Sequence, residues 1–217
     1  MALGILVLGE SGSGKTTSLH TLDPKTTFIF DSDRKGLCWK GWKKQYNSNN
    51  GNYVQTSDAV EIWERLKVIN DTDKRIKTVI IDTLNGIMID SEFRRMKEKN
   101  YDKWMDLASS VYGLVSNIGR LRDDLTVVCM AHCQTDHDDN GYLFTHMKTS
   151  GRKLDKIVVE SKFTNVLLAK ASDGRYVFET KPNHSTAKTP LGCFKDSEIP
   201  NDMKVVIETL KAYEMEE

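Results

Sequence analysis

The chain has 217 residues, and its 31 basic and 31 acidic side chains give a formal net charge of zero. This length suits one α/β domain with a substantial core, so we expect a single domain over residues 1–217. The balanced charge excludes a globally basic nucleic-acid-binding surface, and no apolar run approaches the roughly 20 residues that a membrane span needs.

The first feature along the chain is a glycine-rich turn directly after an apolar run. The run Leu3 to Leu8 predicts a buried strand, and the sequence GESGSGKT that follows at residues 9–16 fits the phosphate-binding pattern G-x-x-x-x-G-K-[ST]. Glycines let backbone N–H groups approach phosphate oxygens, and a helix predicted from about Lys15 to Leu22 adds its positive end. Lys15 can reach the β- and γ-phosphates, and the Thr16 hydroxyl can ligate Mg²⁺. We therefore predict a nucleoside triphosphate site formed by Gly9, Glu10, Ser11, Gly12, Ser13, Gly14, Lys15, Thr16 and Thr17.

Two carboxylates follow the next predicted strand, Thr27 to Phe30. Ligands of open α/β sheets bind beyond the carboxyl ends of the strands, so Asp31 or Asp33 could orient or deprotonate a water that attacks the γ-phosphate. Both could instead be turn residues, a common use of aspartate. Of the two, Asp33 is our candidate for the catalytic residue.

A basic and aromatic stretch comes next, between Arg34 and Lys44, within a segment predicted to be irregular as far as Gly51. Cations beside aromatic rings are typical of single-strand binding. The same composition also fits a tryptophan lid over the base or a subunit contact. The residues concerned are Arg34, Lys35, Trp39, Lys40, Trp42, Lys43, Lys44 and Tyr46.

A second metal-binding signal follows a helix that is predicted to begin at Ser57 or Asp58 and to run to about Ile69. Lys77 to Ile81 is a continuous apolar strand, and it delivers Asp82 to its carboxyl end. Asp82 can hold Mg²⁺ there, most simply through a water. The alternative is an aspartate that caps the next helix, but the phosphate-binding loop in the same chain favours the metal.

After helices predicted at about Leu84 to Lys97 and Tyr101 to Arg122, the strand Leu125 to Ala131 ends in polar residues. His132 and Gln134 could contact the γ-phosphate, although His132 could also be a half-buried structural histidine. A long mobile loop is predicted from Thr135 to Lys156.

The four cysteines show no pairing pattern, which favours reduced thiols inside a cell. Together with the lack of a membrane-spanning apolar run, this leads us to expect a soluble protein of the cytoplasm. A zinc site is another hypothesis, but the spacing of its ligands along the chain fits no common zinc pattern. Its ligands would be Cys129, His132, Cys133 and His137.

The C-terminal third predicts a hairpin and a last helix. Strands Phe163 to Lys170 and Arg175 to Thr180 flank a turn, and a helix is expected from Ile199 to Ala212. The earlier strands alternate with helices, so the fold class is α/β, with a mostly parallel central sheet and an antiparallel C-terminal extension.

Over most of its length the chain resembles the RecA-like P-loop ATPases, and more narrowly the small phage-encoded RecA-core ATPases of single-strand annealing recombination modules. The resemblance lies in the glycine-rich loop, in the strand ends at Asp33, Asp82, His132 and Gln134, and in Ala187-Lys188. It implies a three-layer P-loop fold that uses ATP and Mg²⁺. In RecA-type enzymes the catalytic base is a glutamate, and at that position this chain has the shorter Asp33.

The resemblance also implies partners. The family's DNA-contacting loop corresponds to Thr135 to Lys156, which carries Lys148, Arg152, Lys153 and Lys156 but also Asp136, Asp138 and Asp139. Lys188 resembles a lysine offered to a neighbour's γ-phosphate, so a homo-oligomer is expected. Single-stranded DNA and a phage annealing or single-strand-binding protein are the other partners implied.

The function that these features predict is a Mg²⁺-dependent ATPase that acts on single-stranded DNA in recombination. Two alternatives stay open, a nucleotide-gated scaffold with little hydrolysis and a helicase-loader-like replication ATPase. A GTPase is disfavoured because no N-K-x-D or T-K-x-D motif is present.

Overall fold

The computed structural model describes residues 1–96, 111–137, 141–149 and 158–215. The helices within these residues are α1 (Trp42–Gln45), α2 (Ala59–Asp71), α3 (Leu84–Arg94), α4, of which residues 111–116 are described, and α5 (Met203–Met215). The strands are β1 (Leu3–Gly9), β2 (Thr27–Asp31), β3 (Tyr53–Val54), β4 (Thr78–Asp82), β5 (Thr126–His137), β6 (Leu143–Met147), β7 (Asn165–Ser172), β8 (Arg175–Glu179) and β9 (Glu198–Pro200).

The strands form one mixed sheet in the order β3-β2-β4-β5-β1-β7-β8-β9, with β6 paired to β5. The first six strands in this order run parallel, and β8 and β9 add antiparallel pairs at one edge. The α/β fold with a mostly parallel sheet and a C-terminal antiparallel hairpin is therefore confirmed. Since parallel strands end together, the carboxyl ends of β1, β2, β4 and the parallel part of β5 meet at one edge.

Both faces of the sheet are covered, so the central strands are continuous apolar runs. Along β4, Val79 and Ile81 belong to the apolar cluster that includes residues of α2 and α3, whereas Ile80 belongs to the cluster that includes residues of α5. Successive side chains of a strand alternate between faces. Asp82 therefore leaves the strand on the Ile80 side.

The predicted helix after the glycine-rich loop is wrong in type and length, since the structure has only a 3-10 helix at Thr17–Thr21. Hydroxyl residues explain the difference because their side chains compete for backbone groups. The Ser18 hydroxyl donates to the carbonyl of Lys15 at 2.6 Å. Pro24 follows three residues after the last turn. A full helix dipole does not point at this loop.

The long loop predicted from Thr135 to Lys156 is also wrong over its described part. Strand β5 continues to His137 and pairs antiparallel with β6, from Cys133 opposite Met147 to His137 opposite Leu143. The alternation of apolar and polar residues does not predict this pairing, because this part of β5 extends beyond the neighbouring parallel strands and is largely exposed. Residues 138–140 and 150–156 lie outside the described part.

Smaller differences concern short or late elements. Strand β3 has two residues and was not predicted, and α1 is a single turn inside the predicted irregular segment. The last helix begins at Met203, because Glu198–Pro200 pairs with β8 as an edge strand. Asp58 caps α2 as predicted, accepting the N–H groups of Val60 and Glu61. Only residues 111–116 of the predicted helix Tyr101 to Arg122 are described as α-helical.

None of the described helices combines the length and the apolar character that crossing a membrane requires.

Arg122 ties the end of α2 to the sheet, and this contact yields a stability prediction. Its guanidinium donates to the carbonyl oxygens of Ile69 at 2.5 Å and Asn70 at 3.1 Å, and also to that of Ile76. Arg122→Ala leaves several of these acceptors unpaired, so we expect the free energy of unfolding to fall by about 2–3 kcal/mol.

Urea denaturation followed by circular dichroism measures this loss. Arg65→Ala is the matched control, because Arg65 forms an exposed ion pair with Glu61 within one helix. It should cost about 0.5 kcal/mol or less. Equal losses for the two variants would contradict the role assigned to Arg122.

Candidate nucleotide-binding site

The glycine-rich loop leaves β1 in a conformation that only glycine allows at several points. Gly12 and Gly14 have φ values of +82° and +90°, in the left-handed region. A Cβ atom at Gly9 would lie 2.4 Å from the Ser13 hydroxyl oxygen and 2.9 Å from the Ala169 carbonyl oxygen. The loop thus folds closely against itself and against β7, as a cradle of backbone groups requires.

Lys15 is buried within this loop. Its ammonium donates to the carbonyl oxygens of Gly9 at 2.7 Å and Glu10 at 2.8 Å. Burial lowers the pKa of Lys15, and the opposite charge of Asp82 partly offsets this effect. The lysine is therefore held within the loop by two neutral acceptors. A phosphate oxygen can replace them as a charged and therefore stronger acceptor.

Thr16, in the loop after β1, contacts Asp82 at the end of β4, although β1 and β4 are not neighbours in the sheet. The Thr16 hydroxyl donates to Asp82 Oδ2 at 2.7 Å, and β5 lies between β1 and β4 in the sheet. Asp82 is almost fully buried, and its Oδ1 accepts no hydrogen bond. Burial raises the pKa of this carboxyl group, against the opposing effects of Lys35 and Thr16. A hydroxyl beside a buried carboxylate oxygen without a donor suits Mg²⁺, so the residues present fit the metal.

Asp31 and Asp33 have different surroundings. The buried Asp31 carboxylate accepts the Tyr53 hydroxyl at 2.6 Å, the Gln55 amide at 3.0 Å and the Gly36 N–H at 2.8 Å. Asp31 is thus a turn residue with its oxygens satisfied, one of the two interpretations that the sequence left open.

Asp33 instead lies near Asp82, and Lys35 contacts both carboxylates. The Oδ1 of Asp33 accepts the Thr83 hydroxyl at 3.0 Å, and its Oδ2 accepts the Lys35 ammonium at 2.8 Å. A Cβ at Gly86 would lie 2.6 Å from Asp33 Oδ1, so this glycine lets α3 approach the carboxylate. The Asp33 side chain is 21% exposed, so water can reach the carboxylate.

Lys35 is a site residue that sequence reasoning missed, because its position within a basic and aromatic stretch concealed it. The ammonium lies 2.8 Å from Asp33 Oδ2 and 3.5 Å from Asp82 Oδ1. Burial lowers the pKa of Lys35, but the carboxylates of Asp82 and Asp33 outweigh this and raise it above its usual value. Lys35 is a charged partner of both candidate acids.

His132 lies opposite Gly9 in the pairing of β5 with β1. Burial, and then the positive charge of Lys15, lower the pKa of its imidazole below the usual value. The ring is therefore neutral near pH 7 and can donate or accept one hydrogen bond. Its position beside the loop agrees with the predicted contact to a phosphate, which itself stays a prediction.

Asn85 was also missed, although it lies only three residues after Asp82. Its buried amide accepts the His132 N–H at 2.7 Å and donates to the Lys148 carbonyl at 2.8 Å. One side chain thus joins the first turn of α3 to β5 and to the residue that follows β6.

Gln134 lies two residues beyond His132, where β5 has passed the end of β1. Its amide donates to Asp136 Oδ2 at 2.8 Å, and His146 contacts the same oxygen at 3.0 Å. The side chain belongs to a polar network on the hairpin, and its contact with the γ-phosphate remains a prediction.

The zinc alternative is wrong. Cys129 is completely buried among apolar residues, and burial raises the pKa of its thiol to about 12. The described residues contain no group of three or more histidine, cysteine or acidic side chains that could hold a metal ion.

Lys188 lies away from Lys15 of its own chain. The backbone of Lys188 pairs with Val166, three residues before Ala169, which is opposite Gly9. At about 3.3 Å per residue, the backbone of Lys188 is about 10 Å from the loop along the strand, and its contact with a neighbour's γ-phosphate stays a prediction.

The basic and aromatic stretch offers fewer exposed rings than its composition indicated. Tyr46 is 1% exposed and packs edge-on against Trp39, and Trp42 packs against Tyr53. Tyr46 cannot serve as a stacking platform for a base, which corrects that part of the prediction. Trp39 and Trp42 are half-buried, as the alternative of a lid or contact surface requires.

The close approach at Gly9 gives a direct test of the loop. Gly9→Ala places a methyl group within 3 Å of Ser13 and Ala169, so we expect a loss of about 1–3 kcal/mol in unfolding free energy. Nucleotide-induced thermal stabilisation should also be lost.

Gly113→Ala is the control, since no atom outside the local helix lies within 4 Å of a Cβ at this position. It should be neutral or stabilising by up to about 1 kcal/mol. Differential scanning fluorimetry with and without nucleotide compares the two variants, and an undiminished nucleotide response in Gly9→Ala would refute the cradle.

A family model described as an AAA domain matches residues 1–191. This range contains the glycine-rich loop, all four parallel strand ends that surround it and the β5–β6 hairpin. No curated protein matches the chain significantly.

Proposed function

Since the chain belongs to the AAA-domain family of P-loop ATPases, we propose that it binds ATP with Mg²⁺ and hydrolyses the γ-phosphate. The observation that carries this proposal is the 2.7 Å hydrogen bond from Thr16 to the buried Asp82, beside Lys15. It joins the phosphate-binding loop to a carboxylate that retains an oxygen without a hydrogen bond. A purely structural aspartate would be expected to satisfy both oxygens.

The proposed reaction assigns one task to each side chain. Lys15 exchanges the carbonyls of Gly9 and Glu10 for β- and γ-phosphate oxygens, and the loop N–H groups surround the same anion. Thr16 and Asp82 would hold Mg²⁺, which supplies charge neutralisation at the phosphate oxygens.

Asp33 would orient the attacking water and accept its proton as the water oxygen bonds to phosphorus and the bond to ADP breaks. Its position supports this role, because Asp31 is committed to its turn whereas Asp33 is partly exposed beside Asp82. A neutral His132 could hydrogen-bond a γ-phosphate oxygen and, through Asn85, link its presence to the hairpin.

A nucleotide-gated scaffold is the second candidate, and a specific contact favours it. The Asp33 carboxylate is already paired with Lys35 and bonded to Thr83, which reduces its availability as a base. On this alternative the chain holds ATP, changes the hairpin through Asn85, and hydrolyses slowly.

Substitution at Lys15 and Asp33 separates the two candidates. For the ATPase, Lys15→Ala should abolish nucleotide binding, whereas Asp33→Asn should keep binding and lower kcat by about 10²- to 10⁴-fold. Phosphate release measures turnover and isothermal calorimetry measures binding.

Asp71→Asn is the matched control, because Asp71 is exposed at the end of α2. It should match the wild type in both measurements. Wild-type turnover at background, with Asp33→Asn unchanged, would favour the scaffold instead.

We further propose that the β5–β6 hairpin contacts single-stranded DNA. Its support is the exposure of three apolar side chains, Tyr142 at 64%, Leu143 at 56% and Phe144 at 36%. Phe144 stacks on His146, and the exposed Lys148 directly follows the end of β6. Aromatic faces beside a cation suit unpaired bases and their phosphates. Asp136 opposes such binding, and Arg152, Lys153, Lys156, Asp138 and Asp139 lie outside the described residues.

Phe144→Ala tests this surface. Loss of a stacking ring should weaken binding of a fluorescent oligothymidine by about 1–3 kcal/mol in anisotropy titrations at low salt. Phe93→Ala is the control, since Phe93 is 67% exposed on α3. Equal affinities for the two variants, or no wild-type binding, would contradict a nucleic-acid role for the hairpin.

The narrower proposal is a phage recombination ATPase that assembles into a homo-oligomer with an annealing or single-strand-binding partner. Its support is the resemblance of the strand-end motifs and the position of Lys188, whose backbone lies away from the loop of its own chain. A helicase-loader-like ATPase and a cytoplasmic location remain predictions of the same kind.

A further inference from the structure

Lys35 occupies the position between the two acids where a cation is needed. Its ammonium donates to Asp33 Oδ2 at 2.8 Å and lies 3.5 Å from Asp82 Oδ1. That second oxygen is buried and accepts no hydrogen bond. The ammonium is thus the ion-pair partner of the same carboxylate oxygen that suits Mg²⁺.

The turn that carries Lys35 is built to hold it there. The buried Asp31 carboxylate accepts the N–H of Gly36 at 2.8 Å and that of Lys35 at 3.4 Å. Arg34 and Gly36, on either side, have φ values of +55° and +76°, which turn the chain back over the strand ends.

An aromatic ring closes the other side of this turn. A Cβ at Gly36 would lie 2.8 Å from the Trp42 ring, so Trp42 packs directly on the backbone next to Lys35. The backbone of Lys35 is therefore fixed, and the ammonium is the movable part, since the side chain is 43% exposed.

We propose that Lys35 is a resident cation of the Asp33–Asp82 pair and is exchanged for Mg²⁺ when nucleotide binds. Mg²⁺ ligands lie at about 2.0–2.1 Å, so a metal at Asp82 and an ammonium 3.5 Å from the same carboxylate repel each other. Lys35 leaves Asp82 when the metal arrives and keeps its contact with Asp33. This inference rests on the proposed binding of Mg²⁺ and ATP.

The exchange has two consequences for binding. Without Mg²⁺, Lys35 screens the carboxylates from the triphosphate, so its removal weakens nucleotide binding. With Mg²⁺, Lys35 competes for Asp82, so its removal lowers the Mg²⁺ concentration that binding requires. A lysine that simply gripped the γ-phosphate would weaken binding in both conditions when removed.

Lys35→Met tests the exchange, with calorimetric titration of a non-hydrolysable ATP analogue in EDTA and over a range of Mg²⁺ concentrations. We expect the half-saturating Mg²⁺ concentration to fall by about 3- to 10-fold, and the affinity in EDTA to fall by a similar factor. Lys35→Arg keeps the charge and should stay near the wild type. Lys25→Met, at an exposed lysine just before β2 and so at the opposite end of that strand from the site, should change neither value.

Three results would overturn the inference. Lys35→Met could match Lys25→Met, which makes the contact an inert ion pair, or it could require more Mg²⁺, which makes Lys35 a support for the metal. Binding that is absent from every protein, including the wild type, would overturn the proposed function itself. Thermal unfolding of each variant confirms that the comparison is between folded proteins.

Discussion

The hydrogen bond from Thr16 to Asp82 connects the loop after β1 with the end of β4, although β5 lies between these two strands in the sheet. To form it, the glycine-rich loop must pass the carboxyl end of β5 and reach Asp82 on the next strand. The close packing of Gly9 on Ser13 and Ala169 makes this path possible. The loop, the parallel strand order and the buried carboxylate therefore depend on one another, and each is informative only because the others are present.

Charge burial explains the remaining arrangement of the site. Asp82 and Lys15 are both removed from water, which disfavours their charged forms. The two side chains do not form an ion pair with each other. Lys15 donates to carbonyl oxygens, whereas Asp82 accepts the Thr16 hydroxyl and lies 3.5 Å from the Lys35 ammonium. Groups held in this way are preorganised for partners of opposite charge. A phosphate and a divalent cation would be such partners.

The hairpin of β5 and β6 connects this chemistry to the surface. One strand, β5, contributes Cys129 to the core, His132 to the neighbourhood of Lys15, and then an exposed extension. Asn85 holds the base of the hairpin through both of its amide atoms, from the first turn after Asp82. Two hydrogen bonds therefore join the hairpin to the helix that follows the end of β4.

Local pattern alone determined the glycine-rich loop, the apolar strands and the acids at their ends, because these depend on spacing along the chain. The sequence therefore predicted the parallel sheet and the grouping of Lys15, Thr16 and Asp82. Tertiary structure decided which acid became a turn residue, through contacts of Asp31 with Tyr53 and Gln55. It also decided the contacts of Lys35 and Asn85, the hairpin in place of a loop and the burial of Tyr46. Each depends on partners distant in sequence or on a packing environment that local periodicity does not record.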